Sequence, residues 1–436
     1  MAQSFQHQFF DFLLQSQYFS ASDMRAQQLH QLEQLVRFSR ERVPFYKDRL
    51  NCLFTNQDKF DFEQWHNVPI LSRQDLLDHR DSMLAPALPP HHGGVAHHEG
   101  SGTTGKTVTT AHNQLIAEVS NAAYYRALSW HGFDYSKNLF SWFGGSPDED
   151  RWPHGSKEFM WGPKWDARST VGKMRTLSRL ESVEHAYEFM TLHRPSYATG
   201  RPNAMLELAQ ETERRGSKIK LDAIISFSAQ LTETTREECN RVFGATILNR
   251  YASKEVYDIA HQCPTGNHLH VAAEAMIFEV LDDNDRPCPP GVPGRVIVTP
   301  FYGTAQPMIR YDQGDVVTLG EPCECGRNLP VITELNGRTI HLFRRPDGTR
   351  FSLRIPDTLR KTIGGLEWQV AQIGFEAVEI RYLKRADAPQ AAFDQVTNLI
   401  KSQMTPSTQV HYTAVKKLPE TRSGKILELV CEVAEQ

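Results

Sequence analysis

The stretch GSGTTGKT, residues 100–107, fits the pattern G-x-x-x-x-G-K-[ST] that cradles phosphates in P-loop folds. Such a loop needs a buried strand before it and a helix after it, because the helix N-terminus and the backbone amides hold the anion together. Neither neighbour is predicted here. Upstream, PALPPHHGGVAHHEG is rich in Pro, Gly and His and reads as a long loop. Downstream, TVTT is β-branched and favours an extended chain over a first helical turn. The acidic partner of a P-loop could be sought in AMIFEVLDD, which ends in Asp282 and Asp283. Alternation of Met276, Phe278 and Val280 against Glu279 instead predicts a half-exposed strand there. The residue types still point to phosphate, since glycines admit an anion to the backbone and Ser101, Thr103, Thr104 and Lys106 supply donors. The stretch therefore either holds phosphate in a different fold or is a solvated flexible loop.

With 436 residues the chain exceeds what one hydrophobic core usually serves, so two or more domains are expected. A net charge of -4 offers no bulk basic surface for nucleic acid. No apolar run reaches the roughly 18 residues that cross a bilayer, and the N-terminal segment lacks a basic flank and a cleavage site. No membrane span and no secretion are expected, and the chain reads as cytoplasmic.

Apolar residues Leu29, Leu32, Val36 and Phe38 recur near helical spacing between Asp23 and Arg42, and Pro44 stops the pattern. Helical patterns also cover 113–130, 182–192, 204–215 and 232–243. The β-prone runs AIISFS and ATILNRY flank the last of these, which gives the strand, helix, strand rhythm of an α/β layer. LHVAAEAMIFEVLDD and GRVIVTP read as two strands joined by a turn-rich segment. Past Arg338 a smaller unit is expected: a strand in AVEIRYL, a helix over 389–404 with Phe393, Val396 and Ile400 on one face, and a strand in QVHYTAV.

SGTTGKT is followed in order by YASKE (251–255), PMIRYDQGD (307–315), Gly337-Arg338 and TRSGKI (421–426). Together these segments resemble the adenylate-forming superfamily, and within it the phenylacetate-CoA ligase-like group. The resemblance runs from RERVPFYKDRL to LPETRSGKI. It implies an α/β fold with a large N-terminal adenylate-forming domain over 1–338 and a small, mobile C-terminal α+β domain over 339–436. It also implies a ligase that uses ATP and Mg2+ to adenylate a carboxylic acid, aromatic or similar, and passes the acyl group to CoA. A carrier-protein thiol or an amine is the alternative acceptor, and a weakened nucleotide-binding protein is a third reading. A homodimer is also left open.

The roles the resemblance implies fall on particular residues. Ser101, Gly102, Thr103, Thr104, Gly105 and Lys106 would hold phosphates, and Tyr251 and Ser253 would lie beside the nucleotide. Glu255 would hold magnesium, Asp315 the ribose hydroxyls, and Arg338 the ribose or phosphates. Lys425 would bridge the reacting carboxylate and the α-phosphate. Trp142, Phe143, Tyr197, Ser228 and Ala229 would shape the acyl pocket. The chain departs from the family pattern where Lys254 replaces Thr, Ala252 replaces Gly, Ser228-Ala229-Gln230 replaces Gly-Glu and Ile340 replaces the hinge Asp.

Seven cysteines are too few to suggest a disulfide framework. Cys323 and Cys325 in CECG can share one metal, and Cys263 and His270 in CPTGNHLH would complete a tetrahedral zinc site, with His268 and His261 as rival ligands. Relatives in the resembled family carry a similar pairing. Reduced, unpaired thiols are the alternative. His91, His92, His97 and His98 flank the phosphate stretch and read as part of a solvated loop.

Overall fold

In the computed structural model the residues described are 3–99, 108–144, 150–156, 159–165, 172–338, 342–347, 349–351, 353, 355–356, 359, 362–363, 365–384, 387–419 and 426–433. The chain divides into two units, one comprising Met1–Ser136, Met160–Gly172 and Asn249–Leu335, the other Lys137–Phe159, Lys173–Leu248 and Asn336–Gln436.

In the second unit the α/β rhythm is realised as parallel strands. Leu139–Gly144 pairs with Lys173–Ser178 on one side and Tyr197–Gly200 on the other, and Tyr197–Gly200 pairs with Ala223–Phe227. Helices Val183–His193, Pro202–Arg214 and Glu233–Phe243 alternate with these strands. Their ends are specified locally: Ser182 and Thr232 accept the amides of His185 and Thr235, Pro202 occupies a first-turn position, and Gly244 ends the third helix at φ 69°. Phe140, Leu177, Phe189, Met205, Ile224 and Phe243 fill the core between helices and strands.

The same unit contains a four-stranded sheet in the order Gln409–Val415, Ala377–Lys384, Gly365–Gly374, Leu429–Cys431. Helix Gln390–Gln403 makes the crossover between the parallel strands Ala377–Lys384 and Gln409–Val415. It buries Val396 and Ile400 against Trp368, Val370 and Ile380.

The first unit is built differently. Helix Ala21–Arg42 stops at Val43, as expected for a residue before proline. Helix Gln114–Trp130 packs on Phe5–Ser16 and on strand Tyr257–Gln262. Strands follow the order Met276–Leu281, Pro293–Pro300, Tyr311–Leu319, Val331–Arg338, Leu269–Val271, Tyr257–Gln262, Thr246–Ser253.

Two expectations are corrected here. The single strand expected in LHVAAEAMIFEVLDD is two, separated at residues 272–275, and the second is not half-exposed. Glu279 is largely covered, accepting from Trp65 Nε1 at 3.1 Å and from Arg310 Nη2 at 3.2 Å. The His-rich loop is also partly strand: Val95–Glu99 pairs antiparallel with Thr109–Asn113, register Val95↔Asn113 to Glu99↔Thr109. The β-branched partner supplies the extended template that the His-rich segment lacks by itself.

Arg310 organises this unit. Its Nη1 donates to the carbonyls of Val68 at 2.7 Å and His66 at 3.0 Å, while its backbone sits in the left-handed region at φ 53°. Strand Tyr311–Leu319 starts at the next residue.

Candidate active site and metal centre

Strand Thr246–Ser253 and strand Tyr311–Leu319 bring two of the sequence-predicted nucleotide residues together. The Tyr251 hydroxyl donates to Asp315 Oδ2 at 2.8 Å. Asp315 follows Gly314, whose φ of 68° turns the chain where the strand delivers the carboxylate. Gly314 N is held by Asp312 Oδ1 at 2.7 Å.

After Tyr251 the strand turns tightly, since Ser253 pairs with Tyr257. The Ser253 hydroxyl accepts from Val256 N at 3.2 Å, so it caps this turn. Glu255 lies within the turn, and Arg73 Nη1 approaches its carboxylate at 3.7 Å. Arg73 opens helix Arg73–Asp78, and nothing in its local sequence marked it. Tyr257 closes the turn at φ 63°, a conformation that short hairpins need and glycine usually supplies. Burial pushes the nearby His112 imidazole down to about 4, which keeps it neutral.

Asp282 takes no catalytic posture. Its Oδ1 accepts the amides of Asn284 and Arg286 at 2.8 and 2.9 Å, which makes it a turn residue. Residues 101–106 and Lys425, like Ile340, lie outside the described residues.

In the second unit, Phe143 sits near the carboxyl end of its parallel strand. Its ring meets Phe227 edge-on at 4.6 Å, and the Arg201 guanidinium lies 5.3 Å from its centre. Trp142, on the other face of the strand, is buried with Phe140 and Phe189 in the helix-packed core, and its indole N–H has no hydrogen-bond partner among the described residues. Ser228 follows Phe227 with φ 72°, a left-handed residue at the strand's carboxyl end, where open α/β sheets bind ligands. Ala229 lines a cleft with Asn203, Gln230, Trp368 and Ile426, the residue that follows Lys425. Tyr197 is not grouped with Phe143: it pairs with Leu139 at the opposite end of the strands and is core. Arg338 ends strand Val331–Arg338, half-buried, after Gly337 at φ 95°.

The cysteine and histidine cluster forms within the first unit. The hairpin register Leu269↔Gln262 brings Cys263 beside His268 and His270, and the CECG loop meets them. Metal-ligating atoms of Cys263, His268, His270 and Cys323 all lie within 4.8 Å of one another. Cys263 Sγ and Cys323 Sγ are 3.7 Å apart, too far for a disulfide and near the roughly 3.8 Å edge that two 2.3 Å zinc–sulfur bonds would make. His268 Nε2 is 3.0 Å from Cys323 Sγ, and His270 Nε2 is 3.3 Å from Cys325 Sγ.

Five donors therefore converge where four were expected, and His268 joins the mutually close set that Cys325 borders. Among the described residues His261 is not part of this close set; its Nε2 lies 3.6 Å from Asp258 Oδ1. Burial holds His270 down to about 4, so it is a neutral imidazole of the kind that ligates. The amides of Thr265 and Cys325 point at the sulfurs of Cys263 and Cys323 at 3.5 and 3.3 Å, while burial pushes the Cys323 thiol up to about 11, so a bound cation is what would draw off its proton. The donor set fits a zinc-type ion.

No protein-family model matches the chain. It is 26% identical over 326 residues to phenylacetate-coenzyme A ligase of Thermus thermophilus, covering 72% of this chain and 70% of that one. It is 24% identical over 208 residues to Protein CapK of Staphylococcus aureus, covering 47% and 45%. Among solved structures, 2-hydroxyisobutyryl-CoA ligase in the postadenylation state with 2-HIB-AMP matches with a TM-score of 0.68 at 16% identity, over 93% of this chain and 90% of that one. An amide bond synthetase from Marinactinospora thermotolerans matches with a TM-score of 0.53 at 16% identity, over 78% and 68%. The chain thus has the fold of the adenylate-forming ligases. By sequence it is a homologue of phenylacetate-CoA ligase.

Proposed function

We propose that the protein is an ATP-dependent ligase that adenylates a carboxylic acid and transfers the acyl group to the thiol of CoA. The observation that carries this reading is the Tyr251–Asp315 hydrogen bond beside the turn that presents Glu255, found in a homologue of phenylacetate-CoA ligase. A carboxylate oxygen attacks the α-phosphorus of ATP and the bond to pyrophosphate breaks. The CoA sulfur then attacks the acyl carbon, forming the thioester as AMP leaves.

Bringing a carboxylate to a polyphosphate opposes like charges, so cations and oriented donors supply most of the rate. Glu255 would hold Mg2+, which would neutralise phosphate charge, and residues 101–106 would donate to the phosphates. Asp315 would accept the ribose hydroxyls, its carboxylate steadied by Tyr251, whose ring would flank the adenine. Lys425 would bridge carboxylate and α-phosphate, with Arg338 on the ribose or phosphates. Phe143, Ser228 and Ala229 suit an apolar acid, aromatic acids first.

The Cys263, His268, His270, Cys323 and Cys325 cluster is proposed to hold a structural zinc. Four of these donors, Cys263, His268, His270 and Cys323, suffice for tetrahedral coordination and would leave no position open for a substrate.

Product analysis tests the acceptor. With ATP, acid and CoA present, an acyl-CoA thioester supports the reading. Acyl adenylate that forms but passes only to an added amine, or only to a carrier protein, would replace CoA as the acceptor.

A further inference from the structure

Lys254 stands where the resembled family has threonine, and the proposed chemistry gives it no task. The structure does. Its ammonium donates to the backbone carbonyl of Glu99 at 2.6 Å, at the last described residue before the 100–107 stretch. Three residues after Lys254, the Tyr257 hydroxyl lies 3.1 Å from Nε2 of His98, on the same strand as Glu99. From the partner strand, His112 Nε2 lies 2.9 Å from the Thr110 hydroxyl. The three rings pack together, with His112 to Tyr257 at 4.8 Å and His98 to His112 at 5.4 Å.

That partner strand is moored independently. Ala111 N donates to Gln306 Oε1 at 2.9 Å, and Asn113 Oδ1 accepts from Thr304 N at 2.9 Å. The strand that enters the phosphate stretch, by contrast, is exposed along most of its length. Beyond its own hairpin, its end is held by Lys254 and Tyr257. The turn that supplies both is the turn that carries Glu255.

We propose that Lys254, together with Tyr257, His98 and His112, clamps the stem of the 100–107 stretch onto the Glu255 turn, making Lys254 a positioning residue for the ATP phosphates. The strand that leads into the phosphate stretch and the turn that carries the magnesium carboxylate would then be fixed to one another before substrate arrives, which is where pre-organisation lowers the cost of binding. The strained backbone of Tyr257 aims the phenol at His98 and is a second contact of the same clamp. The phosphate part of this inference rests on the adenylation reading; the clamp itself does not.

The test compares wild type with Lys254→Ala, Lys254→Arg and Tyr257→Phe. Hydrogen exchange is followed in the nucleotide-free protein across residues 95–113, and binding of ATP and of AMP is titrated on the same samples. Lys254 is exposed, so its variants should fold. Exchange in the 95–99 strand should accelerate about fivefold in Lys254→Ala and less in Tyr257→Phe, as expected for loss of one hydrogen bond each, and Lys254→Arg should restore protection. ATP affinity should fall about tenfold in Lys254→Ala, with AMP affinity little changed.

Unchanged exchange in Lys254→Ala overturns the clamp, even if ATP binding weakens, because that pattern means a direct phosphate contact. Faster exchange with unchanged ATP affinity overturns the positioning role. The exchange measurement needs no substrate, so it remains decisive if wild type proves unable to adenylate any acid.

Discussion

Replacing Arg310 with Ala should destabilise the protein more than any other single change proposed here. The side chain is 3% exposed and its partner Glu279 is 17% exposed. Truncation leaves the Glu279 carboxylate buried without its guanidinium and strips a donor from the carbonyls of His66 and Val68. Breaking a buried pair in this way costs about 3–5 kcal/mol. Arg310→Lys keeps the charge but not the planar fork, and should cost roughly half as much. Burial already pushes the Glu279 carboxyl above its ordinary value of 4.5, against the pull of Arg310. A carboxyl whose folded pKa is raised loses stability as pH rises, because the unfolded chain releases its proton first. Without Arg310 the value climbs further, so the variant's deficit should widen as pH rises through the already raised wild-type value and narrow in acid, where Glu279 is protonated in both proteins. Urea unfolding at several pH values measures this. A deficit below about 1 kcal/mol, or one that narrows as pH rises, would refute the argument.

Tyr251→Phe removes the bond to Asp315, and the KM for ATP should rise about tenfold with a smaller change in kcat; equal KM values would remove Tyr251 from the site. Glu255→Ala should lower the adenylation rate by at least about a hundredfold and raise the Mg2+ requirement, read from rates across a magnesium titration. Lys425→Ala should abolish most adenylation while ATP binding persists, and unchanged adenylation would remove its assigned role. Metal analysis should find near one zinc per chain, and Cys323→Ser should lose it together with several degrees of thermal stability; a folded, metal-free wild type would contradict the zinc assignment.

Periodicity carried the helices and parallel strands of the second unit well. Runs such as AIISFS alternate with amphipathic helices, and caps at Ser182 and Thr232 mark their starts. It failed where strand partners decide the outcome. VAHHE carries no strand signal until TTAHN pairs with it. Glu279 looks like the exposed side of a strand until Arg310 and Trp65 cover it.

The site was legible as motifs, because glycines and carboxylates at fixed spacing have few physical uses. Long-range partners were not legible. Arg73 meets Glu255, and Lys254 meets Glu99, across chain separations that no local pattern encodes. Tyr197 was grouped with Phe143 by the family resemblance, yet strand register places it with Leu139. His268 could not be separated from His270 until the hairpin brought both imidazoles to the cysteines.

The account turns on adenylation, and the most direct measurement is pyrophosphate release from ATP and Mg2+ across a panel of aromatic and aliphatic acids, each with and without CoA. Release that depends on the acid, is strongest with an aromatic acid and rises when CoA is added is the predicted result. Release that ignores the acid, or none across the panel from folded, ATP-binding protein, would contradict it.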